Sequence, residues 1–197
     1  MSRSLLIALL LPLLLVPACG RNESPWQGRN IQGVMPDLAF SLTDDSGHTV
    51  TGANFAGKIV LLYFGFTHCE DVCPTTLSTL TKAVRTAGYD ADQVRIVFVS
   101  VDPRRDTPEV LRSYSAHFSP YVTGLSGTEA QLGDVARRYR VAYNYGEPDA
   151  DGDYEVYHSS AIFVFDARGK VRLLLQQQQL DAAAVANDLR RLMVSAS

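Results

Sequence analysis

Two stretches of the chain are almost unbroken in their hydrophobicity. Residues 58–66, KIVLLYFGF, and 94–101, VRIVFVSV, are apolar and rich in β-branched side chains, the pattern of strands buried on both faces of a parallel sheet. Each gives way to a helical period. After the first, Leu77, Leu80, Val84 and Ala87 recur at three- and four-residue spacing before Gly88, which suits a helix stop. Pro74 fits the first turn of that helix, where its missing N–H costs little. After the second, Thr107 is a cap residue with Pro108 behind it, and Val110, Leu111, Tyr114 and Phe118 carry the helix on. Strand, turn and helix, twice over, make βα units whose functional loops gather at the carboxyl edge of the sheet.

Weaker signals flank this half. Residues 38–42 alternate, Asp44 to Gly47 supplies a turn, and 49–51 completes an N-terminal hairpin. Residues 121–125 read as a short strand, and Thr128 with Gln131 forms a capping box ahead of Leu132, Val135, Ala136 and Tyr139. Residues 141–157 alternate around an acidic turn at 149–153, a protruding hairpin. A calcium loop is a poor match there, because no glutamate follows at the required distance. Residues 161–166 and 170–175 form the last strand pair, and 181–193 a closing helix. The predicted class is α/β, a central mixed sheet with helices on both faces and a hairpin insertion before the last strands. Strand, cysteine turn and helix at the first βα junction resemble the thioredoxin fold.

The amino terminus changes the picture of where this domain sits. One early cation, Arg3, precedes an apolar run from Leu5 to Val16 and a small-residue end at Ala18-Cys19-Gly20, the layout of an export signal. The run is shorter than the roughly 20 apolar residues of a membrane span, and Pro12 and Pro17 interrupt it. Val16-Pro17-Ala18-Cys19 resembles a bacterial lipobox, in which Cys19 becomes the acylated first residue; otherwise Cys19 is discarded with the signal. The expected organisation is a lipoprotein-type signal over 1–18, a flexible tether over 19–36 with no core of its own, and one domain over 37–197. Within 197 residues, 46% hydrophobic and 20% charged, one substantial core is expected. A net charge of −3 without a basic run gives no footprint for nucleic acid.

With Cys19 assigned to the leader, Cys69 and Cys73 are the remaining thiols, too few for a disulfide scaffold and so available for redox or metal chemistry. They stand four positions apart at a helix start, where partial positive charge favours the thiolate. Two thiolates with one imidazole suit Cu(I), which accepts low coordination; zinc would want a fourth ligand. His158 and His68 are the candidates for the third place. His158 lies ahead of the strand at 161–166, and His68 directly precedes Cys69, where adjacent side chains in a turn tend to diverge.

Three ordered motifs narrow this. YFGFTHCEDVCP at 63–74, VDPRRDTP at 101–108 and Tyr157-His158-Ser159 together resemble the Sco/SenC family of copper-binding assembly proteins, over roughly Val34 to Met193. The resemblance implies a membrane-tethered, extracytoplasmic thioredoxin-like domain that binds copper through Cys69, Cys73 and His158. It further implies delivery of that copper to the dinuclear centre in subunit II of cytochrome c oxidase, with another copper chaperone or a thiol reductase as a further partner. In a bacterium the protein would be a lipoprotein facing the periplasm. Asp71, in the turn, and Asp102, at the neighbouring strand end, are candidates to orient ligands or steer the cation. One departure stands out: Glu70 occupies the place where the family usually has proline, adding charge and backbone freedom. The competing function is a thiol-disulfide oxidoreductase or redox sensor using the Cys69/Cys73 pair. Against it stand the three-residue spacing and the lack of proline at Ser159, Ser160 or Ala161, where thioredoxins carry one before the strand. A peroxidase would want threonine at position 66, which is Phe66.

Overall fold

The computed structural model describes residues 26–194; the expected signal over 1–18 and Cys19 lie outside the described residues. The strands are β1 (Arg29–Asn30), β2 (Ser41–Asp44), β3 (Thr49–Thr51), β4 (Ile59–Gly65), β5 (Val94–Ser100), β6 (Val122–Ser126), β7 (Tyr143–Tyr145), β8 (Val156–His158), β9 (Ala161–Phe165) and β10 (Val171–Gln176). The helices are α1 (Val72–Ala87), α2 (Pro108–Phe118), α3 (Glu129–Tyr139) and α4 (Ala182–Val194). Eight strands form one sheet in the order β1-β10-β9-β4-β5-β6-β2-β3, and β7 pairs with β8 as a separate ribbon. β4, β5 and β6 are parallel, and the strands outside them run antiparallel to their neighbours. The expected mixed sheet with flanking helices and thioredoxin-like topology is what the chain adopts.

β4 is the centre of the sheet. All seven of its residues are buried, as a strand covered on both faces requires. Its alternation divides the core. Phe64 joins Phe163 and Phe165 around Tyr139 of α3 on one face. On the other, Tyr63 packs on Phe98, and Phe98 on Tyr114 of α2. α1 shares this second face with α2, since consecutive right-handed crossovers from β4 to β5 to β6 put both helices on the same side.

Two expectations need correction. Residues 38–40 do not extend the first hairpin. The Leu38 amide donates to the Gly169 carbonyl, the Ala39 amide to the Tyr139 hydroxyl, and the strand begins only at Ser41. The segment expected to be a coreless tether, 19–36, is also not free of the domain over its described part, residues 26–36. β1 pairs with β10, Ile31 is buried in the core, and the Gln27 and Gly28 amides donate to the buried Asp188 carboxylate at 3.2 and 3.0 Å. A β-carbon at Gly28 would lie 2.8 Å from Leu173 Cβ, so this stretch is pressed against the sheet. Among the described residues no helix is long and apolar enough to cross a membrane.

Candidate metal centre

The chain leaves β4 at Gly65, which could carry no side chain: a β-carbon there would stand 2.9 Å from Cys73 Sγ and 2.6 Å from the Phe98 ring. The turn that follows delivers Cys69 just ahead of α1 and Cys73 as its second residue. Asp71, at the helix cap position, makes no side-chain cap bond. Cys69 takes that part instead, its Sγ accepting from the Cys73 amide at 3.3 Å. The helix thus presents its unsatisfied N–H groups to a sulfur.

Cys73 is fully buried, and the Tyr63 hydroxyl donates to its Sγ at 3.5 Å. The third group comes from the ribbon. His158 ends β8 and sets Nε2 3.6 Å from Cys73 Sγ. Its ring is boxed edge-on by Phe66 and Tyr63, with centroids 5.8 and 6.2 Å away. The other ring nitrogen, Nδ1, lies 3.0 Å from the Ser159 carbonyl oxygen. A carbonyl only accepts, so Nδ1 holds the proton and the bare lone pair of Nε2 faces the sulfur.

The two thiols are electrostatically unlike. The Cys73 S–H and the backbone N–H groups of Cys73 and Asp71 favour charge on Cys69, outweighing partial burial, and lower its pKa to about 4. Giving its hydrogen bond to Cys69 and being buried push the Cys73 thiol well above the ordinary range. The pair is therefore a thiolate beside a retained S–H, one soft anion already in place for a metal.

Cys69, Cys73 and His158 converge. His68 does not join them: its Nδ1 turns toward Thr67 Oγ1 at 3.2 Å. The Asp71 side chain accepts from Thr75 Oγ1, within its own helix, and only its amide supports Cys69. Asp102 is buried, but its oxygens accept from Arg105 Nε at 2.5 Å and the Tyr154 hydroxyl at 2.6 Å, so it braces the ribbon and touches no sulfur. The acid that does hold the cysteine turn is Asp106. It accepts from the Thr67 amide at 3.0 Å, the Thr67 hydroxyl at 2.6 Å and the Ser100 hydroxyl at 2.5 Å. Sequence reasoning passed over it because Asp106 stands just before the Thr107 cap and reads as part of a helix start. Cys69 and His158 open onto a cavity of about 890 Å³ between the turn and the ribbon, whose lining includes His68, Glu70, Arg105 and Tyr154. Glu70 is exposed at this mouth.

A sequence model of the SCO1/SenC family matches residues 32–194. The mitochondrial SCO2 homologue of Bos taurus is 44% identical over 132 residues, 66% of this chain and 50% of that protein; the chain spans about half the length of the mitochondrial relatives it matches. Among solved structures, Bradyrhizobium japonicum ScoI with copper bound is 39% identical, with a TM-score of 0.71 over 79% of this chain and 98% of the other. Arabidopsis thaliana ScoI with copper bound is 34% identical, with a TM-score of 0.74 over 81% and 98%.

Proposed function

The chain belongs to the SCO1/SenC family, and we propose that it is a copper metallochaperone carrying Cu(I) on Cys69 Sγ, Cys73 Sγ and His158 Nε2. The observation that carries this reading is the bare His158 Nε2 aimed at Cys73 Sγ from 3.6 Å, on a ribbon that general thiol chemistry does not need. Two thiolates and one imidazole fit a monovalent copper ion, which accepts three ligands, better than zinc, which wants four. As copper binds, the proton of Cys73 leaves to the cavity water, while Cys69 needs to lose none. The cargo is then handed on by ligand exchange, and the recipient implied by the family is the dinuclear copper centre in subunit II of cytochrome c oxidase. Acylation at Cys19 would hold the domain at the outer face of a bacterial membrane, with the copper mouth facing the periplasm.

A second reading has its own observation. A depressed, partly exposed thiol beside a buried, proton-retaining one is the arrangement of an attacking and a resolving cysteine. The protein would then reduce a disulfide in a partner, forming its own Cys69–Cys73 disulfide as two electrons pass. His158→Ala separates the two functions, with Cu(I) affinity and disulfide exchange both measured. Copper chaperoning predicts an affinity loss of at least about tenfold with exchange retained. Full copper affinity alongside collapsed exchange would overturn it in favour of the oxidoreductase.

A further inference from the structure

Two histidines line the cavity, and hydrogen bonding holds both in the same ring tautomer. For His158 the Ser159 carbonyl fixes the proton on Nδ1. For His68 a hydroxyl sets the tautomer. Nδ1 of His68 is 3.2 Å from Thr67 Oγ1, and that oxygen is 2.6 Å from Asp106 Oδ1. Thr67 has one hydroxyl proton to give, and a carboxylate at 2.6 Å takes it in preference to an imidazole. The threonine oxygen is left as an acceptor, so His68 must donate from Nδ1 and keep Nε2 bare. Asp106 is fully buried and further anchored by Ser100 and the Thr67 amide. The relay is therefore rigid up to a ring that is half exposed at the cavity mouth. A histidine tied through one nitrogen to a buried carboxylate, with the other nitrogen free, is arranged as metal-binding histidines are. Asp102 and Asp106 both approach His68 within 4.8 Å, but their oxygens are already engaged by Arg105, Tyr154, Thr67 and Ser100. They orient the ring or brace its surroundings and offer no ligand atoms.

The resident donors explain why such a foothold would be useful. Cys73 is completely buried and the His158 ring is boxed by Phe66 and Tyr63, so a carrier molecule cannot approach all three together. We propose that His68 is a second copper-binding position, a transient ligand at the cavity mouth that accepts Cu(I) from a thiolate carrier and passes it inward to Cys69, Cys73 and His158, with Thr67 and Asp106 as its positioning residues. This rests on the copper reading above. The step is ligand exchange and the metal stays monovalent. A carrier S–Cu bond breaks as the His68 Nε2–Cu bond forms, then that bond breaks as Cys69 and Cys73 bind. The Cys73 proton passes to cavity water, and the carrier leaves as its thiolate.

The test uses the reduced full chain with Cu(I) supplied as a glutathione complex, following uptake by stopped flow and affinity by competition with bicinchoninate. His68→Ala should keep its affinity within about twofold of the wild type while loading slows about tenfold; Thr67→Val should slow it several-fold. In the copper-free wild type, long-range 1H–15N spectra should show His68 protonated at Nδ1, and Thr67→Val should show mixed tautomers. An unchanged loading rate in His68→Ala overturns the inference. So does an affinity loss as large as that of His158→Ala, which would make His68 a resident ligand, and so does an Nε2–H tautomer in the wild type. Failure of the copper reading looks different: the wild type itself takes up no Cu(I), and the inference falls with it.

Discussion

At the scale of single residues the two sulfurs divide the work, and pH exposes the division. Cys69 has its pKa lowered to about 4, first by the Cys73 S–H and then by two backbone amides. A depressed value means that the fold favours the thiolate, so the anion is present above that pH and is lost only as pH falls through it. Alkylation of Cys69 by iodoacetamide in the reduced, copper-free protein should therefore stay nearly constant from neutral pH downward and halve only near pH 4. A half-point near the ordinary 9.0 would show that the Cys73 S–H and the backbone amides do not act on it. The same residues show what a sequence discloses. The i, i+4 spacing and the helix start already put Cys69 and Cys73 together, since both facts are local. His158, 85 residues from Cys73, is beyond the reach of spacing; only the motif resemblance picked it over His68. Asp106 escaped altogether: Ser100 is only six residues away, but Thr67, its link to the cysteine turn, is met only when two strand ends come side by side in the sheet.

At the scale of elements the ribbon of β7 and β8 matters most, since it brings His158 to a site otherwise built from β4 and α1. Three pairs of strand residues hold it together, too few for independent stability. Its position depends on side chains reaching the loop after β5. The Tyr154 hydroxyl bonds buried Asp102, Arg105 bonds the same carboxylate and lies 3.9 Å over the Tyr154 ring, and the Tyr145 hydroxyl donates to the Val101 carbonyl at 2.6 Å. Tyr154→Phe leaves a buried carboxylate oxygen without its donor, a cost of about 1–3 kcal/mol. Because that cost loosens the ribbon rather than the sheet, its effect should be local. Hydrogen exchange at the Gly146 amide, bonded to the Glu155 carbonyl, should accelerate while that of β4 amides is unchanged. Copper affinity should fall about tenfold through misplacement of His158. Equal acceleration in ribbon and β4 would mean that Tyr154 supports the whole fold and not this element. The alternation around the acidic turn made the ribbon legible in sequence; the Asp102 latch, which joins residues 52 positions apart, was not.

At the scale of the whole molecule the question is where the domain begins. Residues 26–31 looked like linker because they are mostly polar and contain Gly28, with Ile31 an isolated apolar residue. Their attachment is long-range: Ile31 is buried, its amide donates to the Arg172 carbonyl, Trp26 lies 3.8 Å under the Arg191 guanidinium, and Asp188 of α4 accepts from the Gln27 and Gly28 amides. Asp188→Ala leaves the buried Gly28 N–H without a partner and should destabilise the domain by about 1–3 kcal/mol, read as a lower urea midpoint. Exchange should rise first at the Gly28 and Ile31 amides. The effect also has a pH signature. Burial raises the Asp188 pKa above 3.8 against the opposing pull of the two amides, so the fold favours the neutral acid. The wild type's advantage over Asp188→Ala is then fully present below 3.8 and shrinks as pH rises through the raised value. An advantage that grows with pH would mean that the two N–H bonds to the ionised carboxylate outweigh its desolvation. Unchanged stability at every pH would return residues 26–31 to the status of a linker, leaving the domain to start at the first hairpin.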